Sequence, residues 1–108
     1  GVTDMKTAIR IGMLGMGTVG TGVAKMLTAN ADGIKQKTGA PVELKTVLVR
    51  TLNKPRISSA TVQFTTDFRE ILEDPDIDII IEVMGGEEPA KGYILEALKA
   101  GKRVVTAN

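Results

Sequence analysis

Gly15-Met16-Gly17-Thr18-Val19-Gly20 places glycines at the first, third and sixth positions of a six-residue stretch. In a turn that links a strand to a helix, each glycine has its own task. Gly15 permits the tight turn. Gly17 has no Cβ, so a pyrophosphate can approach the backbone there. Gly20 lets the helix pack close to the strand. The N–H groups of Thr18 and Val19 have no acceptor within the helix and face the phosphates at the positive end of its dipole. Spacing alone is weak in a chain with 12 glycines, and a turn that serves only strand–helix packing has the same spelling. Context strengthens the reading, because an apolar run precedes the turn and an amphipathic helical pattern follows it. A P-loop is disfavoured, since Gly-Lys-Ser/Thr is missing from the turn. S-adenosylmethionine could occupy the same kind of turn, and spacing does not exclude it.

A second candidate follows the next apolar run, in Leu48-Val49-Arg50-Thr51-Leu52-Asn53-Lys54-Pro55-Arg56. In dinucleotide-binding folds an acidic residue at the end of the second strand holds the ribose 2′-hydroxyl of NAD. Here that position is Arg50, and no Asp or Glu lies between Glu43 and Asp67. A guanidinium matches an adenosine 2′-phosphate with paired N–H donors. Arg50, supported by Lys54 and Arg56, therefore points to NADP as the preferred cofactor, with NAD possible. The bland alternative is a solvated basic loop.

Five short strands joined mostly by helices must position these residues. Ala8–Leu14 is a short, largely apolar run stopped by glycine, as expected of a buried parallel strand. A helical stretch follows, with Val19, Val23, Met26 and Leu27 on its apolar face and Ile34 able to extend it. Asn30 or Gly33 could break it, and Gly39-Ala40-Pro41 ends it. Val42–Val49 is a second strand that begins by alternating and ends apolar. Residues 51–60 read as a surface loop, and Thr61–Phe64 as a third strand. Asp67-Phe68-Arg69-Glu70 spells a capping box opening a two-turn helix that Pro75 stops. Ile77–Val83 is a fourth strand. Pro89 opens a helix that Gly101 ends, with Ala90, Ile94, Ala97, Leu98 and Gly101 on one face. Arg103–Thr106 is the fifth strand. The fold class is thus α/β, a Rossmann-like doubly wound parallel sheet of about five strands in order 3-2-1-4-5. Ligands bind such sheets at the carboxyl ends of the strands, which singles out residues 15–20, 50–56, 84–88 and 106–108.

Composition removes several other functions. The chain has 108 residues, 43% of them hydrophobic, enough for one domain with a real core. With 14 basic and 13 acidic residues, net +1, there is no global pull toward nucleic acid or anionic membranes. Cys, His and Trp are absent, which excludes disulfides, thiolate or imidazole metal sites and a Ser-His-Asp triad. No apolar run approaches the roughly 18 residues of a membrane span, and Gly1–Lys6 lacks a signal-peptide pattern. A cytoplasmic protein is expected, with residues 1–7 an extension or cloning remnant and 8–108 the dinucleotide-binding domain.

The same residues resemble homoserine dehydrogenase. The resemblance rests on Gly12-Met13-Leu14-Gly15-Met16-Gly17-Thr18-Val19-Gly20, on Val49-Arg50 followed by Asn53-Lys54-Pro55-Arg56, and most specifically on Ile81–Asn108. That last stretch carries Glu82-Val83-Met84-Gly85-Gly86, Glu88-Pro89-Ala90-Lys91 and Lys102-Arg103-Val104-Val105-Thr106-Ala107-Asn108. The resemblance covers essentially Ala8 to Asn108. It implies reduction of aspartate 4-semialdehyde to homoserine with NADPH or NADH, on the route to threonine, methionine and isoleucine. It also implies that Gly85 and Gly86 approach the nicotinamide end of the cofactor, with Thr106 and Asn108 lining that side. In the family a catalytic Lys follows Thr-Ala-Asn, and the substrate and dimerisation regions come later still. The expectation is therefore a cofactor-binding fragment with no catalytic residue of its own and no turnover, from a parent that is a homo-oligomer. Lys102 is expected at the start of the fifth strand, away from the site. Glu82 lies near the site, its role open between structural support and backing for the site. The competing readings are a non-catalytic dinucleotide-sensing module, which has no need for Gly-Gly-x-Glu-Pro-Ala or Thr-Ala-Asn, and a dehydrogenase of another amino-acid-derived substrate.

Overall fold

The computed structural model describes residues 8–29, 41–52, 62–84 and 89–106. The strands are β1 (Ile9–Leu14), β2 (Val42–Leu48), β3 (Gln63–Thr65), β4 (Ile77–Glu82) and β5 (Arg103–Thr106). The helices are α1 (Gly17–Ala29), α2 (Arg69–Leu72) and α3 (Ala90–Lys99). All four strand pairings are parallel, in the order β3-β2-β1-β4-β5. The chain runs outward from β1 through β2 to β3, then returns to β4 on the other side of β1. That reversal opens a crevice beside the carboxyl end of β1, as in other Rossmann-like sheets.

The sheet is covered on both faces. Ile11, Met13, Val47 and Val49 pack with Ala24 and Leu27 of α1. Leu14, Leu48, Ile77 and Ile80 pack with Phe68, Ile71 of α2 and Ala97 of α3. Burying each large aliphatic side chain favours folding by about 1.5–3 kcal/mol. Burial along β2 deepens toward its carboxyl end, where Thr46, Val47 and Leu48 are all buried. Gly12 of β1 lies beneath α2, where an added Cβ would stand 2.7 Å from Ile71 Cγ2.

The helix faces differ from the periodic reading in an instructive way. Met26 and Leu98, expected inside, are 52% and 54% exposed. The buried line of α1 is Gly20, Ala24 and Leu27, and that of α3 is Ala90 and Ala97. Small residues bring each helix axis close to the sheet. Met26 and Leu98 then stand on the flanks.

The capping box also takes another form. α2 is one turn, not two. Asp67 Oδ1 accepts the Arg69 N–H at 3.0 Å, and the Thr65 hydroxyl accepts the Asp67 N–H at 3.0 Å. The Thr65 hydroxyl donates to Glu70 Oε2, so Glu70 reaches past Asp67 to the end of β3. β3 itself begins two residues later than the sequence pattern predicts.

At the amino edge of the sheet, charges serve the fold. Lys45 Nζ lies 2.6 Å from Asp74 Oδ2 and 3.6 Å from Asp76 Oδ2. Lys102, just before β5, donates to the carbonyls of Asp74 and Ile77 at 2.7 and 2.8 Å. Burial alone would push the Asp74 carboxyl up. The hydrogen bond from Lys45, the Asp76 N–H and the two lysine charges outweigh it and hold Asp74 below the ordinary carboxylate value. The hydrogen bond to Asp74, against some loss of hydration, raises Lys45 above the ordinary lysine value.

Candidate dinucleotide site

The carboxyl edge is built around the turn between β1 and α1. Gly15 N–H donates to the Leu48 carbonyl at 2.9 Å, and the Leu14 carbonyl accepts Val83 N–H at 3.0 Å. The turn is thereby pinned to both neighbouring strands. Gly15 has φ +95° and Gly17 φ +40°, both in the region that favours glycine. A Cβ on Gly15 would stand 2.9 Å from Met84 Cγ, and one on Gly20 would stand 3.1 Å from Val83 Cγ2. These two glycines serve close packing. Gly17 is the exception, since a Cβ there would meet nothing within 4 Å. Its surface faces open space at the start of a 13-residue helix, whose first N–H groups lack helical acceptors.

A cleft of about 550 Å³ lies over this turn. Gly15, Met16 and Gly17 line one part of it. Val49, Arg50 and Thr51 line the exit of β2, and Val83 and Met84 the exit of β4. Arg50 is exposed, and among the described residues no carboxylate lies within ion-pair distance of it. Thr66, Pro89 and Tyr93 complete the wall. Tyr93 stacks on Phe68 with ring centroids 4.1 Å apart, which fixes the aromatic side of the cleft.

Of the residues singled out in the sequence, Gly15, Gly17 and Arg50 meet in this cleft. Thr18 and Val19 lie in the first turn of α1, and Gly20 is buried beneath it. Thr106 ends β5 at the same edge, exposed and in register with Glu82, and does not line the cleft. Lys54, Arg56, Gly85, Gly86 and Asn108 lie outside the described residues. Lys102 sits at the opposite edge, held by the two carbonyls. Sequence reasoning missed Thr66, Pro89 and Tyr93. Thr66 could have been found as the first residue past a parallel strand. Tyr93 carries no such signal, because only folding brings α3 over the exit of β4.

An open turn at a helix amino end suits the phosphate groups of a nucleotide ligand. Comparisons with known proteins agree. The family model of the homoserine dehydrogenase NAD-binding domain matches residues 15–108. The chain belongs to that family. It is 45% identical over 102 residues to the homoserine dehydrogenase of Bacillus subtilis (strain 168), covering 94% of this chain and 24% of that protein. It is 42% identical to that of Corynebacterium glutamicum, covering 94% and 23%. A crystal structure of S. aureus homoserine dehydrogenase superposes with a TM-score of 0.87 at 40% identity, over 96% of this chain and 26% of that one. The chain thus spans about a quarter of the length of the curated relatives it matches. As an NAD-binding domain of this family it takes a nicotinamide dinucleotide. Among the described residues no helix is long and apolar enough to cross a membrane.

Proposed function

We propose that this chain is the cofactor-binding part of a cytoplasmic homoserine dehydrogenase that favours NADPH. The whole protein would interconvert aspartate 4-semialdehyde and homoserine, on the route to threonine, methionine and isoleucine, as a homo-oligomer. The bound dinucleotide supplies the hydride. The chain's own residues bind and orient it. Gly17 leaves the backbone open to the pyrophosphate, with the amides of Thr18 and Val19 in the first turn of α1. Arg50, with Lys54 and Arg56 in support, takes the 2′-phosphate. Gly85, Gly86, Thr106 and Asn108 belong to the nicotinamide end. No catalytic residue is assigned within the 108 residues, and they have no turnover by themselves, because substrate must be held against the nicotinamide and given a proton.

The observation that carries this reading is the presence of Gly17 and Arg50 on the walls of one cleft. A hydrogen bond to a charged group contributes about 1.5–3 kcal/mol, and exposure and salt move Arg50 toward the lower end. The test is the ratio of NADH to NADPH dissociation constants at two salt concentrations. Wild type should favour NADPH by roughly tenfold at low salt. Arg50→Asp should abolish that preference, because it repels the phosphate and offers a carboxylate to the 2′-hydroxyl. An unchanged ratio at low salt returns the cofactor to NAD(P) without preference.

A further inference from the structure

Glu82 closes β4 and is fully buried, on the strand face that also carries Ile80. The rest of β4 is Ile77-Asp78-Ile79-Ile80-Ile81, and an apolar residue at position 82 would bury no polar group at all. The carboxylate has a specific contact: its Oε2 accepts the N–H of Met84. The preceding amide, Val83 N–H, is tied to the Leu14 carbonyl at 3.0 Å. Two successive amides past β4 are therefore fixed, one to β1 and one to Glu82. The side chains they carry lie against the glycine turn. Met84 Cγ stands 2.9 Å from where a Cβ on Gly15 would be, and Val83 Cγ2 stands 3.1 Å from the same point on Gly20. Both residues also line the cleft.

We propose that Glu82 is a positioning residue: through the Met84 amide it holds the β4 wall of the cleft against the Gly15–Gly17 turn, and so sets the shape in which the turn receives a dinucleotide. The inference rests on the dinucleotide reading of that cleft. In Glu82→Met the Met84 N–H loses its acceptor, so the melting temperature should fall whichever role Glu82 has. Positioning and plain structural support separate in the affinity of the folded variant. The NADPH dissociation constant, by calorimetric titration, should rise tenfold or more. Glu82→Gln, which keeps an oxygen acceptor for Met84, should bind within threefold of wild type. Its Met84 amide proton should move upfield in the NMR spectrum without ligand, as a carboxylate acceptor becomes an amide.

A folded Glu82→Met that binds NADPH as wild type does overturns the proposal, whatever its melting temperature. Should Glu82→Met fail to fold, the Glu82→Gln spectrum decides, and an unmoved Met84 amide overturns the proposal. Failure of wild type itself to bind NADPH is a different result, which removes the dinucleotide reading and the proposal with it.

Discussion

The two edges of the sheet use polar residues in opposite ways. At the amino edge Lys45, Asp74, Asp76 and Lys102 are satisfied by one another or by nearby carbonyls. At the carboxyl edge Gly17 leaves open space and Arg50 is exposed on the wall of a cleft. Both edges belong to the same parallel strands, so strand composition does not set the difference. The amino edge closes chain segments onto each other. The carboxyl edge keeps backbone and charge available. Substitutions at the first edge should therefore change stability without affinity, and at the second affinity more than stability.

Lys102→Met should cost the most stability. It keeps most of the aliphatic stem but removes the donor to the Asp74 and Ile77 carbonyls. The expected loss is about 2 kcal/mol, roughly 10 °C in melting midpoint. Its NADPH affinity should match wild type, and weakened binding would break the division between the edges.

Asp74→Asn should cost less, about 1 kcal/mol, because the Lys45 pair is partly exposed. Its pH dependence sharpens the comparison. Asp74 titrates lower in the folded chain, so its contribution is present above the ordinary value of 3.8 and is lost as pH falls through the folded value. Lys45 titrates higher in the folded chain, so its contribution is complete below 10.5 and is lost as pH rises through the folded value. The stability gap between wild type and Asp74→Asn should be flat near neutral pH and close toward both extremes. Denaturant melts across the acid and alkaline limbs measure it. A gap that does not narrow at all as the pH falls below 3.8 would locate the effect outside the ion pair.

Strand order and the glycine turn were legible because each rests on local pattern: short apolar runs, glycines at fixed offsets, and helices long enough to show a period. Arg50 was legible because strand two has an end that can be counted to. What was not legible depends on how closely elements approach. Met26 and Leu98 fit the helical period and still face solvent, because Ala24, Ala90 and Ala97 occupy the line nearest the sheet. A reading weighted toward large apolar residues passes over those alanines. The Asp67–Glu70 pattern suggested a reciprocal box, but Thr65 at the end of β3 captured Glu70. Tyr93 reaches the cleft only because Phe68, 25 positions earlier, stacks beneath it. Glu82 was visible as a carboxylate near the site, while its tie to Met84 required the fold.

Gly17→Ala tests the central claim most directly. The new methyl has room, since nothing lies within 4 Å, and the backbone at φ +40° adds strain of about 1–2 kcal/mol. The variant should stay folded with a modestly lower melting midpoint. Its Cβ would occupy the surface a pyrophosphate must approach, so calorimetric titration should show NADPH bound at least tenfold more weakly than by wild type. A folded Gly17→Ala that binds NADPH with wild-type affinity would contradict the account, because the pyrophosphate would then lie away from the glycine turn.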